Sequence, residues 1–162
     1  MKAKIIIITS LICLLVAVGV IAIVLFKQSS DTIMRLAVYS QENRGNTYYF
    51  SLSDDAVLRV SLGERRYEDI TSNRFMLRSR VSSKVELSED DFTIIVHLLN
   101  ELESSEESGQ SVVFYGGIAI KVLYNDEVYF SPYRGLDSSF SSRLVAEISR
   151  LSPIPVELRG FA

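Results

Sequence analysis

The chain has 162 residues, 48% of them hydrophobic, with 17 Lys+Arg against 20 Asp+Glu, a net charge of −3, one histidine and one cysteine. A single histidine rules out a multi-histidine metal centre within one chain, and a single cysteine, Cys13, rules out an internal disulfide. Three of the lysines precede Gln28, which leaves 14 basic against 20 acidic residues from there on, so nucleic acid is not expected as a partner.

The chain opens with an apolar run from Ile5 to Phe26, set between Lys2 and Lys4 on one side and Lys27 on the other. At a helical rise of 1.5 Å per residue such a run covers roughly 33 Å, about the hydrocarbon thickness of a bilayer. The sequence therefore predicts a single transmembrane helix. A cleaved signal peptide fits less well, because its apolar region is about 7–15 residues whereas Val20 to Phe26 carry this one past the small pair Ala17 and Gly19. A lipoprotein reading of Cys13 fails on Ile12, since a small residue belongs directly before such a cysteine. Lys2, Lys4 and the N-terminal amine outweigh Lys27 and Arg35 diluted by Asp31, which places the N-terminus in the cytoplasm and the rest outside. Thr9, Cys13 and Ala17 recur every four residues and form a candidate packing stripe for a second helix in the membrane.

Residues 1–27 thus read as tail and anchor, 28–32 as a linker and 33–162 as one extracytoplasmic domain. Ile33 to Ser40 is the first strand. Tyr48, Phe50 and Leu52, then Ala56, Leu58, Val60 and Leu62, alternate with polar or smaller residues on either side of Asp54-Asp55, which predicts a hairpin. Phe75, Leu77, Val81, Val85 and Leu87 continue the period of two, with Arg78, Arg80, Lys84 and Glu86 between them. That spacing predicts inward apolar side chains and outward arginines. Ser88, followed by Glu89, Asp90 and Asp91, is a helix N-cap with acids in the first turn. Phe92, Ile95, Val96, Leu98, Leu99 and Leu102 give that helix its apolar arc.

Val112 to Tyr115, Ile118 to Tyr124 and Val128 to Ser131 read as a three-strand meander turned at Gly116-Gly117 and Asn125-Asp126. Asp137 to Leu151 reads as a second amphipathic helix through Phe140, Leu144, Ile148 and Leu151, stopped by Pro153 and Pro155. Strand runs joined by tight turns, with two helices, predict the α+β class: an N-terminal transmembrane helix followed by an antiparallel sheet carrying two amphipathic helices.

The lysine-started anchor, Ser51-Leu52-Ser53-Asp54-Asp55 before a strand, Leu87-Ser88-Glu89-Asp90 at a helix start and Leu151-Ser152-Pro153 after the last helix resemble uncharacterised single-pass membrane-anchored proteins of Gram-positive gut bacteria. The resemblance implies a location and no activity.

No catalytic, cofactor-binding or metal-binding set emerges from the sequence. His97 falls on the polar side of the first helix, one turn before Glu101. The serines lie in no Gly-x-Ser-x-Gly or Ser-x-x-Lys context. Asp54-Asp55, Asp90-Asp91 and Asp126-Glu127 match turn and cap chemistry better than a pair of carboxylates facing each other across a cleft. Two binding surfaces remain as candidates. Arg74, Arg78 and Arg80 form a candidate anion-binding face, against which stands structural pairing with the acidic stretch from Glu86 to Glu107. Tyr115, Tyr124, Tyr129 and Tyr133, with Arg134, form a candidate ligand face. The expected function is a membrane-anchored extracytoplasmic protein that binds a partner or stabilises a complex without catalysis, its partners being the lipid bilayer and another membrane or envelope protein. The competing reading is a cell-envelope hydrolase using carboxylates in an unrecognised cleft. No cofactor is expected.

Overall fold

The computed structural model describes residues 31–66, 69–105, 117–133 and 139–158, and Thr32–Ala162 form one compact unit. Strands β1 (Thr32–Ser40), β2 (Thr47–Ser53), β3 (Val57–Arg65) and β4 (Met76–Glu86) precede helix α1 (Glu89–Glu103); β5 (Ile118–Tyr124), β6 (Glu127–Tyr133) and helix α2 (Phe140–Leu151) follow. The six strands make one antiparallel sheet in the order β4-β3-β2-β1-β5-β6. β1 is therefore central, and the chain crosses from one side of it to the other through α1.

The period of two sorts side chains onto the two faces. Val60, Phe50, Leu36, Val122 and Tyr129 form one row across the sheet, each opposite the next. All five are buried, and they pack with Ile95, Leu98, Leu99 and Leu102 of α1 and Leu144, Val145 and Ile148 of α2. The helices hold each other by Arg150 to Asp91 at 2.6 Å and Arg143 to Glu101 at 3.3 Å. Ser88 caps α1 as its sequence requires: its hydroxyl accepts the Asp91 N–H at 3.1 Å. Asn125 and Asp126, both at positive φ, make the two-residue β5–β6 turn.

The opposite face has a smaller core of Ala37, Tyr39, Ala119, Ile70 and Phe75. Its lid is the β3–β4 connection, fastened by the Arg35 guanidinium, which donates to the Thr71 carbonyl at 2.7 Å and to Asn73 Oδ1 at 2.5 Å. β1 is thus covered on both sides, which is why Leu36-Ala37-Val38-Tyr39 is apolar without interruption.

The antiparallel sheet with two helices agrees with the α+β expectation, but the membrane-spanning part of it does not stand. Among the described residues no helix is long and apolar enough to cross a membrane. The longer of the two helices, α1, has 15 residues and an acidic first turn, about 22 Å against the ~30 Å of a bilayer core. The transmembrane anchor, the single-pass cell-membrane location and the extracytoplasmic envelope placement built on it are corrected accordingly. The run from Ile5 to Phe26, with Thr9, Cys13 and Ala17, lies outside the described residues, as does the expected strand from Val112 to Tyr115.

A second correction concerns β4. Leu77 is 53% and Val81 48% exposed rather than inward, because β4 is the edge of the sheet and the helix-side core reaches it only at Val85. Phe75 is buried, but in the connection ahead of the strand and against the opposite face.

Candidate functional site

The arginines proposed for anion binding all lie at or just before the β4 edge. Arg74 precedes the strand and is exposed. Arg78 stands opposite Glu64 on β3. Arg80 occupies a bulge, where the register steps from Leu62 opposite Val81 to Gly63 opposite Ser79. Its guanidinium Nη2 donates to the Gly45 carbonyl at 2.8 Å and to Asn46 Oδ1 at 2.6 Å. Gly63 is what allows this edge to close on β3: a Cβ there would lie 2.0 Å from the Arg78 carbonyl oxygen.

The aromatic candidates are distributed differently. Tyr129 is buried at 2% exposure, and its hydroxyl donates to Glu127 at 3.1 Å. Burial, reinforced by the Glu127 carboxylate, pushes its phenol up to about 12. Tyr124 donates to Asn100 Oδ1 of α1 at 2.8 Å, and Tyr133 packs against the helix-side core. These three join the sheet to what covers it. Tyr115 and Arg134 lie outside the described residues.

The described surface includes a cleft at each of two places. One, of about 450 Å³, opens at the start of β1 and is lined by Met34, Arg35, Thr71, Tyr124 and Asp126. Arg35 is already committed there to the loop carbonyls. The other, of about 330 Å³, lies beside His97, Glu101, Ser105 and Phe140. His97 sits on the exposed side of α1 with Nδ1 3.6 Å from Glu101. Asp55 and Asp91 of the acidic pairs serve local structure. Ser53 donates to Asp55 at 2.5 Å, and Ser88 and Arg150 both donate to Asp91, holding its carboxyl below the usual range. Among the described residues no three His, Cys, Asp or Glu side chains gather as metal ligands.

The edge itself has a main-chain geometry that sequence reasoning missed. The Leu87 N–H donates to Ala56 O at 2.9 Å, so position 87 is a hydrogen-bonded pair of the β3–β4 ladder. The ladder runs without a break from there to Val81, which makes Val85, Ser83 and Val81 hydrogen-bonded positions too and turns the main-chain groups of Ser82, Lys84 and Glu86 outward. The 3.0 Å approach of the Ser61 and Ser82 hydroxyls fits a non-hydrogen-bonded pair, where side chains stand closest. Three donors and three acceptors, two residues apart, therefore face away from the sheet.

Buried Arg65, at 2% exposure, is the other residue sequence reasoning missed. It donates to the carbonyls of Ser40 and Asn43 at 3.0 and 3.1 Å, with its guanidinium 4.2 Å from the Tyr39 ring centre. The sequence places it in step with Arg59, Ser61 and Gly63, on the side away from the helices, but does not show that this side is covered there. Comparison with known proteins finds no family model that matches the chain and no match among curated proteins.

Proposed function

We propose that this domain is a non-catalytic binding module that accepts an extended strand on the β4 edge, holding a complex together by strand addition. The observation that carries this reading is the 11-residue edge strand exposed along almost its whole length, with outward main-chain groups at Ser82, Lys84 and Glu86. Main-chain pairing supplies affinity in such recognition, and alternate side chains supply selectivity. Leu77 and Val81 offer apolar surface, and Arg78, Arg80 and Lys84 offer charge.

Amide exchange tests the reading. In dilute full-length protein the amides of Ser82, Lys84 and Glu86 should exchange quickly. They should become protected when the protein is concentrated, or when a soluble peptide of alternating valine and glutamate is added. Lys84→Pro removes one outward N–H without removing a β3–β4 hydrogen bond and should reduce that protection. Unchanged exchange under both conditions would end the proposal.

A further inference from the structure

We infer that the strand added to β4 is β4 of a second copy, running antiparallel about a two-fold axis at Ser83. This rests on the strand-addition reading and names its partner.

A two-fold interface brings the same strand against itself, so the strand must be self-complementary about one point. The segment Arg80-Val81-Ser82-Ser83-Lys84-Val85-Glu86 meets that condition at Ser83. Val81 of one copy then faces Val85 of the other, Ser82 faces Lys84, and Arg80 faces Glu86. The main chain agrees. Ser82 and Lys84, both with outward N–H and C=O groups, face each other and exchange hydrogen bonds twice, once on each side of the axis.

Other registers carry a penalty. An axis at Ser82 sets Lys84 against Arg80, and an axis at Lys84 sets that lysine against its own copy; like charges directly opposite each other destabilise a sheet. An axis at Val85 leaves only the last residues of β4 to pair, because Leu87 turns inward toward α1. At the other end, the bulge at Arg80 stops regular pairing. Arg80 is held by Nη2 alone, which leaves the rest of its guanidinium for a carboxylate.

The buried row across the sheet points the same way. It runs Tyr129, Val122, Leu36, Phe50, Val60 and ends on exposed Ser83. On the same face Val81, 48% exposed, would be covered by Val85 of the second copy. The far edge of the sheet is different in kind, since Pro132 in β6 has no N–H to offer.

Disulfide trapping reads the register directly. In full-length protein carrying Cys13→Ser, Ser83→Cys should convert most of the chain to a covalent dimer on mild oxidation, because the two positions meet at the axis. Ser79→Cys should not, because its two copies would lie about 27 Å apart at 3.4 Å per residue, far beyond the ~7 Å Cα limit of a disulfide. Arg80→Glu or Glu86→Arg alone should weaken dimerisation about tenfold, a change of about 1.4 kcal/mol. The two changes together should restore it. Equal trapping at positions 79 and 83, or failure of the double exchange to rescue, overturns the inference. Protection of Ser82, Lys84 and Glu86 by the peptide without trapping at Ser83 assigns the edge to a different partner and leaves the strand-addition reading standing. Should the cysteine variant not fold, concentration-dependent protection of the same amides in the unmodified chain, together with the charge exchanges, decides the matter.

Discussion

The two faces of the sheet are covered by different physics. On one, α1 and α2 lay apolar stripes over even-numbered positions of β1, β2 and β3, and burial of hydrocarbon is the main stabilising term. On the other, a short connection contributes Ile70 and Phe75, while arginines hold main-chain carbonyls in place: Arg35 those of Ile70 and Thr71, Arg65 those of Ser40 and Asn43. The first cover is distributed over many interchangeable contacts. The second depends on a few side chains, each without a substitute.

Truncation on the helix side gives the largest expected effect. Leu99 is fully buried between the helix and the sheet, and Leu99→Ala should lower stability by about 2–5 kcal/mol in chemical denaturation. His97→Ala, two residues earlier but exposed, should change it little. If the histidine variant proved the more damaging, the helix would not be seated as described.

Arg65→Met sharpens the contrast from the other face. It keeps much of the side-chain volume and leaves the Ser40 and Asn43 carbonyls without their donor, at a cost of about 1–3 kcal/mol for each acceptor that water cannot reach. Amide exchange should quicken first in residues 41–46 and only afterwards in α1. Uniform loosening of both faces would mean that the arginine supports the whole sheet rather than its cover.

The same division explains what could be read in advance. Tyr48, Phe50 and Leu52 alternate, and Ile95, Leu98, Leu99 and Leu102 fall on one helical arc, because many residues report one face. Both helices and the β2–β3 and β5–β6 hairpins were legible for that reason. The loop cover was not, since Arg35 and Arg65 act on carbonyls that are distant in sequence, and an arginine on a strand looks the same whether buried or solvated. The β4 edge was misread for a related reason. Periodicity groups Leu77 with Val81 and Val85, but the bulge at Arg80 interrupts it, and Val85 alone of the three packs against the helix-side core; what covers each position depends on strand order, which is set by the crossover through α1.

The smallest expected effect is acid-dependent, and it separates the faces once more. Asp69, in the loop cover, is held below the usual carboxylate range by the Thr71 hydroxyl and amide, which donate to it at 2.7 and 2.9 Å. Asp91, between the helices, is held down first by the Ser88 hydroxyl and then by Arg150. Because the folded carboxyls ionise below the unfolded value of 3.8, the unfolded chain takes up protons first as the pH falls. Each group therefore contributes stability above that value and loses it progressively as the pH drops through the folded range. Asp69→Asn and Asp91→Asn should each lower stability modestly and evenly from neutral pH upward and flatten the acid limb of the stability profile, so that variant and parent converge at low pH. Asp69 is exposed and Asp91 partly exposed, so the changes are modest and should shrink in high salt. Local readouts distinguish them: the Asp69 variant should speed amide exchange in residues 70–75, and the Asp91 variant at the start of α1. An unchanged acid limb in both variants would place the acid sensitivity of this fold elsewhere, and loosening of α1 by Asp69→Asn would show that the two covers are coupled through β1.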